Sequence, residues 1–409
     1  MKEHLKRVAK VFTGTTPPTN INRYYDAEDV LWFSPGDIPS DGIGTSEPRK
    51  ISKSFFDEYG IKYYPAHSVL MVGIGATVGK VGYSDRPFYT NQQINTIVFN
   101  GRKILPKYGA YFLLNKSNEI NKKTPIVTLQ IFNQSKVKQV LMDYPSIDVQ
   151  QRIVDYLDEK LAKIDERIKV LEKQKDAYAR LKKSVIHQAV THGLNLNVPL
   201  KDSGVEWIGL IPEHWEVKRI KELCSFVSRG ATPNYVDEGE YKVMNQAVFS
   251  TGNLNHKVVR YSSYMKSESQ IKKGDLLIAS TGGGVLGKLY FFDDEDLNFY
   301  ADTHVTIVRS EKGLFCVKFL FYLLSYQFDM VNACMAKGST NQTELQRDCL
   351  LSYELAIPSL VEQQTIIAYL DEKCAKIDAA IENIGKQIDA SKRLKRALIN
   401  EVITGQRAV

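Results

Sequence analysis

The feature that most constrains this chain is a charged helical stretch that occurs twice. Gln150-Gln151-Arg152-Ile153 opens the first copy and Gln363-Gln364-Thr365-Ile366 the second. The offset of 213 positions holds without a gap from Pro145 against Pro358 to Thr191 against Thr404, and roughly half the aligned positions are identical. Tyr156-Leu157-Asp158-Glu159-Lys160 answers Tyr369-Leu370-Asp371-Glu372-Lys373. Neither a proline nor an inserted loop interrupts the match, so both copies must keep one helical register. Leu157, Leu161, Ile164, Ile168 and Leu171 recur at alternating spacings of four and three, continuing less cleanly through Lys175, Tyr178 and Leu181. The second copy repeats the rungs as Leu370, Cys374, Ile377, Ile381, Ile384 and Ile388. An apolar heptad seam with charged flanks predicts a coiled coil. A helix of about 40 residues is roughly 60 Å long, too long to lie within one small domain. A continuous seam needs a partner in water, and two copies of one sequence close most simply when paired antiparallel about a pseudo-two-fold. Two separate helical linkers are the alternative. Gly385, inside the second copy, costs about 1 kcal/mol of helix propensity without an evident reason.

Two divergent versions of one plan accompany these helices. Residues 1–145 read as a mixed α/β domain with a turn at Gly14-Thr15-Thr16-Pro17-Pro18, strand-like Ser68–Val72 and Ile94–Phe99, and a glycine loop from Gly73 to Lys80 between them. A helix from Tyr108 to about Ile120 and the stretch Thr128–Phe132 follow. Residues 215–357 keep the order: a turn at Gly230-Ala231-Thr232-Pro233, strand-like Asp275–Ala279, a glycine loop from Gly282 to Lys288, strand-like His304–Val308, and a helix from about Cys316 to Met335. A Gly-Lys step precedes a Thr-Ile-Val strand in both. The central helix takes residues 146–192 and the final helix 358–409. Residues 193–214 form a polar connector expected on the surface. The fold class is α+β: two globular α/β domains joined by two long helices forming an antiparallel coiled coil with pseudo-two-fold symmetry.

The 409 residues, 43% hydrophobic and 25% charged, suffice for two or three cores. A net charge of +7 is compatible with a nucleic-acid partner without establishing one. Five scattered cysteines without a Cys-x-x-Cys argue against a disulfide framework. The charged start Met1-Lys2-Glu3-His4 is unlike a signal peptide, and no apolar run is long enough to span a bilayer. The expectation is a soluble, cytoplasmic protein with no membrane partner.

Two similar domains in inverted orientation, held apart by a rod and carrying excess positive charge, form a caliper whose natural object is duplex DNA, itself related by local dyads. Three further motifs make the comparison specific: Trp32-Phe33-Ser34-Pro35-Gly36-Asp37-Ile38 after the first turn, Ile357-Pro358 leading into Glu362-Gln363-Gln364, and Ser203–Gly209 with Ile211-Pro212-Glu213-His214-Trp215. With the duplicated helix, the chain resembles, over its whole length, the DNA-specificity subunit of type I restriction-modification systems. The resemblance implies two target-recognition domains, each reading one half of a bipartite site in double-stranded DNA. It implies paired helices that set the spacer and dock two modification subunits, which methylate adenine with S-adenosylmethionine, and two restriction subunits working with ATP and Mg²⁺. No cofactor is then expected on this chain. The exposed Gln-Gln start and charged helix faces are the expected surface for these subunits. The sequence departs from the family twice: nothing before His4-Leu5-Lys6-Arg7 matches the Ile-Pro-x-x-Trp lead, and Asp148-Val149 stands where the second copy has Val361-Glu362.

Catalytic chemistry finds no foothold. Gly282–Lys288 fits the Gly-x-x-x-x-Gly-Lys part of a P-loop, but Leu289 replaces the Mg²⁺-binding hydroxyl, and Lys288–Phe292 reads as strand where a P-loop opens a helix. Thr16-Pro17-Pro18-Thr19 lacks the residues of an adenine methyltransferase loop, and His187 and His192 lack companions at ligand spacing. For DNA contact, phosphates call for Lys, Arg, Ser, Thr and loop amides, and base edges for Arg, Lys, Asn or Gln. The candidates are Thr15, Thr16, Arg23, Lys80, Asn91, Gln92 and Gln93 in the first domain, and Arg229, Thr232, Asn245, Gln246, Lys288, Asn341 and Gln342 in the second. The rivals are a non-enzymatic coiled-coil scaffold between protein-binding modules, separated by salt-dependent DNA binding, and an NTPase, separated by turnover lost on Lys288→Ala.

Overall fold

The computed structural model describes all residues except 123–130, 283–284, 297, 311–314, 327–335 and 338–343. The chain divides into two compact units, 1–174 with 383–409 and 175–382, so that each contains one globular domain and a part of both long helices.

In the first unit, a four-stranded antiparallel sheet runs in the order Ala9–Thr13, Ile94–Phe99, Ser68–Val72, Val81–Ser84. All five residues of Ser68–Val72 are buried. Alternate side chains of a strand point to opposite faces. Val69 and Met71 accordingly join the core under the helix Pro106–Lys122, while Leu70 and Val72 join a second core with Phe33, Ile38, Phe88 and Ile94. The second unit repeats the order as Phe226–Arg229, Val305–Arg309, Leu276–Ala279, Leu289–Phe291. Leu276 and Ile278 face one core there, Leu277 and Ala279 the other. A smaller sheet completes each domain through a parallel pair, Val30–Phe33 with Tyr89–Thr90 and Tyr241–Met244 with Phe299–Ala301.

The Thr-Ile-Val motifs of the two domains do not occupy equivalent register positions. Gly73 N–H donates to Gln93 O and Ser280 N–H to His304 O, so Gln93 corresponds to His304. Asn95, paired with Met71, then matches Thr306, paired with Ile278. Aligning Thr96 with Thr306 would slip the strand by one residue and send every side chain to the other face. The Gly-Lys steps do correspond: Val72 N–H donates to Lys80 O and Ala279 N–H to Lys288 O, each closing a hairpin.

The long helices run Ile147–His192 and Leu360–Ile403. In the first unit, Leu157 and Leu161 share a core with Leu398, Ile399 and Val402, and Ile168 and Leu171 pack with Ile384 and Ile388. In the second, Ile186, Ala189 and Val190 share a core with Ile366, Leu370 and Cys374. The start of each helix therefore meets the end of the other, which is antiparallel pairing. Ile164 and Ile381 are half-buried and Ile377 is buried. The seam does not continue through Lys175, Tyr178 and Leu181, which are exposed, because the buried face passes to Ile186, Ala189 and Val190. Lys395 Nζ donates to Asp165 at 2.5 Å in one unit and Lys182 Nζ to Asp378 at 2.6 Å in the other, each residue 213 positions from its counterpart.

Two surface assignments change. The Gln-Gln start is only half exposed: Gln150 and Gln363 are buried. Gln150 accepts from Leu105 N–H and donates to Lys103 O and Pro145 O, all at 2.9 Å. Gln363 likewise accepts from Cys316 N–H at 3.0 Å and donates to Pro358 O at 2.9 Å. The connector is not merely laid on the surface: Leu200–Asp202 pairs with Leu210–Pro212, which carries Ile211 into the core ahead of Trp215. The expected helix from Cys316 is described over Val317–Tyr326, and its remainder to Met335, like most of Thr128–Phe132, lies outside the described residues.

Candidate nucleic-acid interface

At one end of the large sheet in each domain, two loops are locked together through a glycine. A Cβ on Gly14 would stand 2.2 Å from Thr90 O and 2.3 Å from Asn91 O. One on Gly230 would stand 2.0 Å from Ala301 O and 2.5 Å from Asp302 O. Real Cβ atoms do not approach backbone so closely, so the turn after the first strand can be pinned there only by glycine. Thr15 N–H then donates to Thr90 O and Ala231 N–H to Ala301 O.

This pinning brings Thr15, Thr16, Asn91, Gln92 and Gln93 together. Thr16 Oγ1 donates to Gln92 Oε1, Asn91 Nδ2 donates to Gln93 Oε1 at 3.1 Å, and Asn91 Oδ1 accepts from Gln93 N–H at 3.0 Å. Asn91 is buried, Gln92 exposed and Gln93 half-buried, so Asn91 shapes the turn that presents the two glutamines. In the second domain the same turn is Asp302-Thr303-His304, with Asp302 Oδ1 accepting from His304 N–H at 2.9 Å. Thr281 Oγ1 lies 2.7 Å from His304 Nδ1 and donates to Gln246 Oε1 at 3.3 Å. The Thr281 hydroxyl thus holds the ring of the exposed His304 by Nδ1. Burial pushes the Asp302 carboxyl above the usual carboxylate range, and the His304 N–H that donates to it pulls it partway back.

Other candidates are engaged elsewhere. Arg23 donates to Glu58 at 3.0 Å and to the Tyr24 hydroxyl. Arg229 donates to Leu345 O at 3.1 Å and to Glu344. Asn245 caps a short 3₁₀ turn by accepting from Ala247 N–H at 2.9 Å. Lys80 lines a cleft with Asp41, Asn115 and Arg396 rather than joining the glutamine loop. Lys288 leads into Leu289–Phe291, a strand antiparallel to Leu276–Ala279, where a P-loop would open a helix with its N-terminus toward phosphate. Thr232 is exposed. Asn341 and Gln342 lie outside the described residues. Among the described residues, no group of three or more His, Cys, Asp or Glu side chains is placed to hold a metal ion.

Sequence reasoning missed Thr281, Thr303 and His304, because the Thr-Ile-Val match hid the correspondence of His304 with Gln93. It also missed the joint between domain and helix. Lys107 Nζ and the Tyr111 hydroxyl donate to Asp158 at 2.5 and 2.7 Å, and Lys318 Nζ and the Tyr322 hydroxyl donate to Asp371 at 2.7 and 2.5 Å. Burial, reinforced by these hydrogen bonds to carboxylates, pushes both tyrosine hydroxyls far above their ordinary range. The signal was a Lys-x-x-x-Tyr spacing in each domain helix, which puts both donors on one helical face.

The geometry meets known proteins at this point. The family model described as "Type I restriction modification DNA specificity domain" matches residues 2–174 and 212–389. The type I restriction enzyme MjaVIII specificity subunit of Methanocaldococcus jannaschii is 23% identical, over 83% of this chain and 79% of that protein. The EcoBI specificity subunit of Escherichia coli is 20% identical, over 90% and 80%. A structure from work on complex assembly and conformational transition of the type I R-M system superposes with a TM-score of 0.73 at 16% identity, over 98% of this chain and 97% of that one. The HsdS subunit from Thermoanaerobacter tengcongensis gives 0.50 at 16% identity, over 100% and 97%. These likenesses to solved structures concern the fold.

Proposed function

We propose that this chain, which belongs to the type I restriction-modification DNA specificity family, is the non-catalytic subunit that directs such a complex to a bipartite site in double-stranded DNA. One domain would read each half-site. The observation that carries this is the duplicated loop pair, in which a glycine close approach presents Gln92 and Gln93 in one domain and Thr303 and His304 in the other at the same sheet end. Glutamine can pair bidentately with an adenine edge, and an imidazole can hydrogen-bond a base edge, while threonine hydroxyls and loop amides suit phosphates. Modification subunits using S-adenosylmethionine, and restriction subunits using ATP and Mg²⁺, would supply the chemistry, one pair of each to a specificity chain. The duplicated Gln151 and Gln364 surfaces and charged helix faces fit paired docking, and a cytoplasmic location follows from such partners.

The test is methylome sequencing of cells carrying the full system, followed by gel shifts of this chain with its modification subunit. Affinity should fall steeply with salt, as counterion release requires. Gln93→Ala should relax discrimination at one half-site and His304→Ala at the other, by about 1–3 kcal/mol each. Salt-independent binding, or loss of both half-sites from one substitution with stability intact, would refute the assignment.

A further inference from the structure

The joint between domain and long helix is built twice from the same atoms. In the first unit Asp158 Oδ2 accepts from Lys107 Nζ at 2.5 Å, and its Oδ1 from the Tyr111 hydroxyl at 2.7 Å. In the second, Asp371 Oδ2 accepts from Lys318 Nζ at 2.7 Å, and its Oδ1 from the Tyr322 hydroxyl at 2.5 Å. Each lysine also lies over a ring on the fourth strand of its sheet, 5.8 Å from the Tyr83 centroid and 5.3 Å from that of Phe291. The rings are equivalent, since Tyr83 pairs with Val69 and Phe291 with Leu276 at matching places in their sheets. Phe291 has no hydroxyl, so what the two joints share is the ring face, which attracts an ammonium. Long helix, domain helix and sheet are thus tied at one point in each unit.

This repetition is not a by-product of the duplicated helix. Tyr111 and Asp158 are 47 residues apart and Tyr322 and Asp371 are 49, so the same atoms meet across segments of different length. Satisfying a buried hydroxyl accounts for the tyrosines but not for the lysines, which are half-buried and can reach water. An ion pair so placed contributes little to stability. What the paired donors add is direction. They stand one helical turn apart, one on each carboxylate oxygen, so the aspartate is held against rotation as well as against separation. Gln150 and Gln363 make a second attachment at the start of each long helix, roughly 12 Å along the axis from the aspartate. Two attachments fix the angle at which a domain leaves its helix, whereas one leaves a pivot.

We propose that Asp158 and Asp371 are positioning residues that fix the tilt of each recognition domain on its helix, and through it the spacing of half-sites that the chain accepts. This rests on the bipartite reading proposed above. The domain helix carries the constraint to the sheet, because Tyr108 and Phe112 share a core with Val69 and Ile97, and Phe319 and Leu320 with Leu276 and Val308. The strands Ile94–Phe99 and Val305–Arg309 begin directly after the Gln92-Gln93 and Thr303-His304 turns. Among the described residues each aspartate bonds only to its domain helix, so removing it changes where the loops stand and not which bases they prefer.

The test takes the full chain with its modification subunit and duplexes in which both half-sites are kept and the spacer varies one base pair at a time. Wild type should show one sharp optimum in gel shifts. Asp158→Ala and Asp371→Ala should each lower the preference for that spacer over its neighbours by about five-fold, the scale of one lost hydrogen bond, with base preference inside the half-sites unchanged. Asp158→Asn keeps an acceptor for Tyr111 and releases Lys107, so it should fall between, and it carries the test if the alanine variants melt early. Lys107→Arg, which keeps the ion pair, should preserve the optimum. A merely structural role would weaken binding to all spacers alike, and that result, or an altered base preference, overturns the proposal. A sharp wild-type optimum that survives these substitutions overturns it alone. A wild type indifferent to spacer overturns the bipartite reading together with it.

Discussion

Asn91 and Asp302 sit in equivalent turns, and each accepts a backbone N–H two residues on, yet one is neutral and the other carries a buried carboxyl. Because burial raises the Asp302 pKa, its ionisation costs stability: the cost is absent below the ordinary carboxylate range, grows as pH rises through the raised value, and is complete above it. Asp302→Asn keeps the acceptor and removes the charge. It should stabilise the protein by about 1 kcal/mol near neutral pH and less in acid, in urea melts at two pH values. It should also tighten binding to non-specific DNA, since a negative charge leaves the loop that faces phosphate in the proposed complex. Gln150 offers a contrast. Its amide satisfies Leu105 N–H from a buried position, so Gln150→Ala should cost about 2–4 kcal/mol, whereas the exposed Gln151→Ala should stay within about 0.5 kcal/mol. Equal effects in denaturant unfolding would contradict this division of the Gln-Gln pair.

Among the elements, the long helices were the most legible, because a heptad seam repeated at a constant offset needs no tertiary information to be seen. Leu157, Leu161, Ile168, Leu171, Leu370, Cys374, Ile377, Ile384 and Ile388 are buried, as their spacing predicts. The failure of the seam beyond Leu171 follows from the same rule, since Lys175 breaks the apolar rungs. Gly385 gains no packing explanation: a Cβ there would meet nothing within 4 Å. Gly385→Ala should therefore stabilise the helix by about 1 kcal/mol, seen as a raised denaturation midpoint with an unchanged slope. The strands were legible in kind but not in register. Thr-Ile-Val looks alike in both domains, yet register follows the hydrogen bonds to Gln93 O and His304 O, which join residues about 20 apart in the chain. The loop cluster was half legible for that reason, with Asn91-Gln92-Gln93 found by residue type and Thr303-His304 overlooked.

For the whole molecule, the net charge of +7 and the family's DNA specificity fit one another, and the expected salt dependence tests them together. If the long helices set the spacer, adding one heptad to each lengthens them by ~10 Å, about three base pairs at ~3.4 Å per pair. The preferred spacer in a gel-shift series should lengthen by about that much, and an unchanged preference would reject the ruler. Among the described residues no helix is long and apolar enough to cross a membrane. By itself the sequence determined the duplication, the two long helices and the family, because these rest on periodicity and local identity that survive along the chain, while it left antiparallel pairing and separate helices both open. The tertiary structure alone decided which member of each Gln-Gln pair is buried, that Asp158 and Asp371 bind their domains, and that His304 answers Gln93. Those outcomes depend on which distant residues meet, and burial and hydrogen-bond satisfaction are settled only when they do.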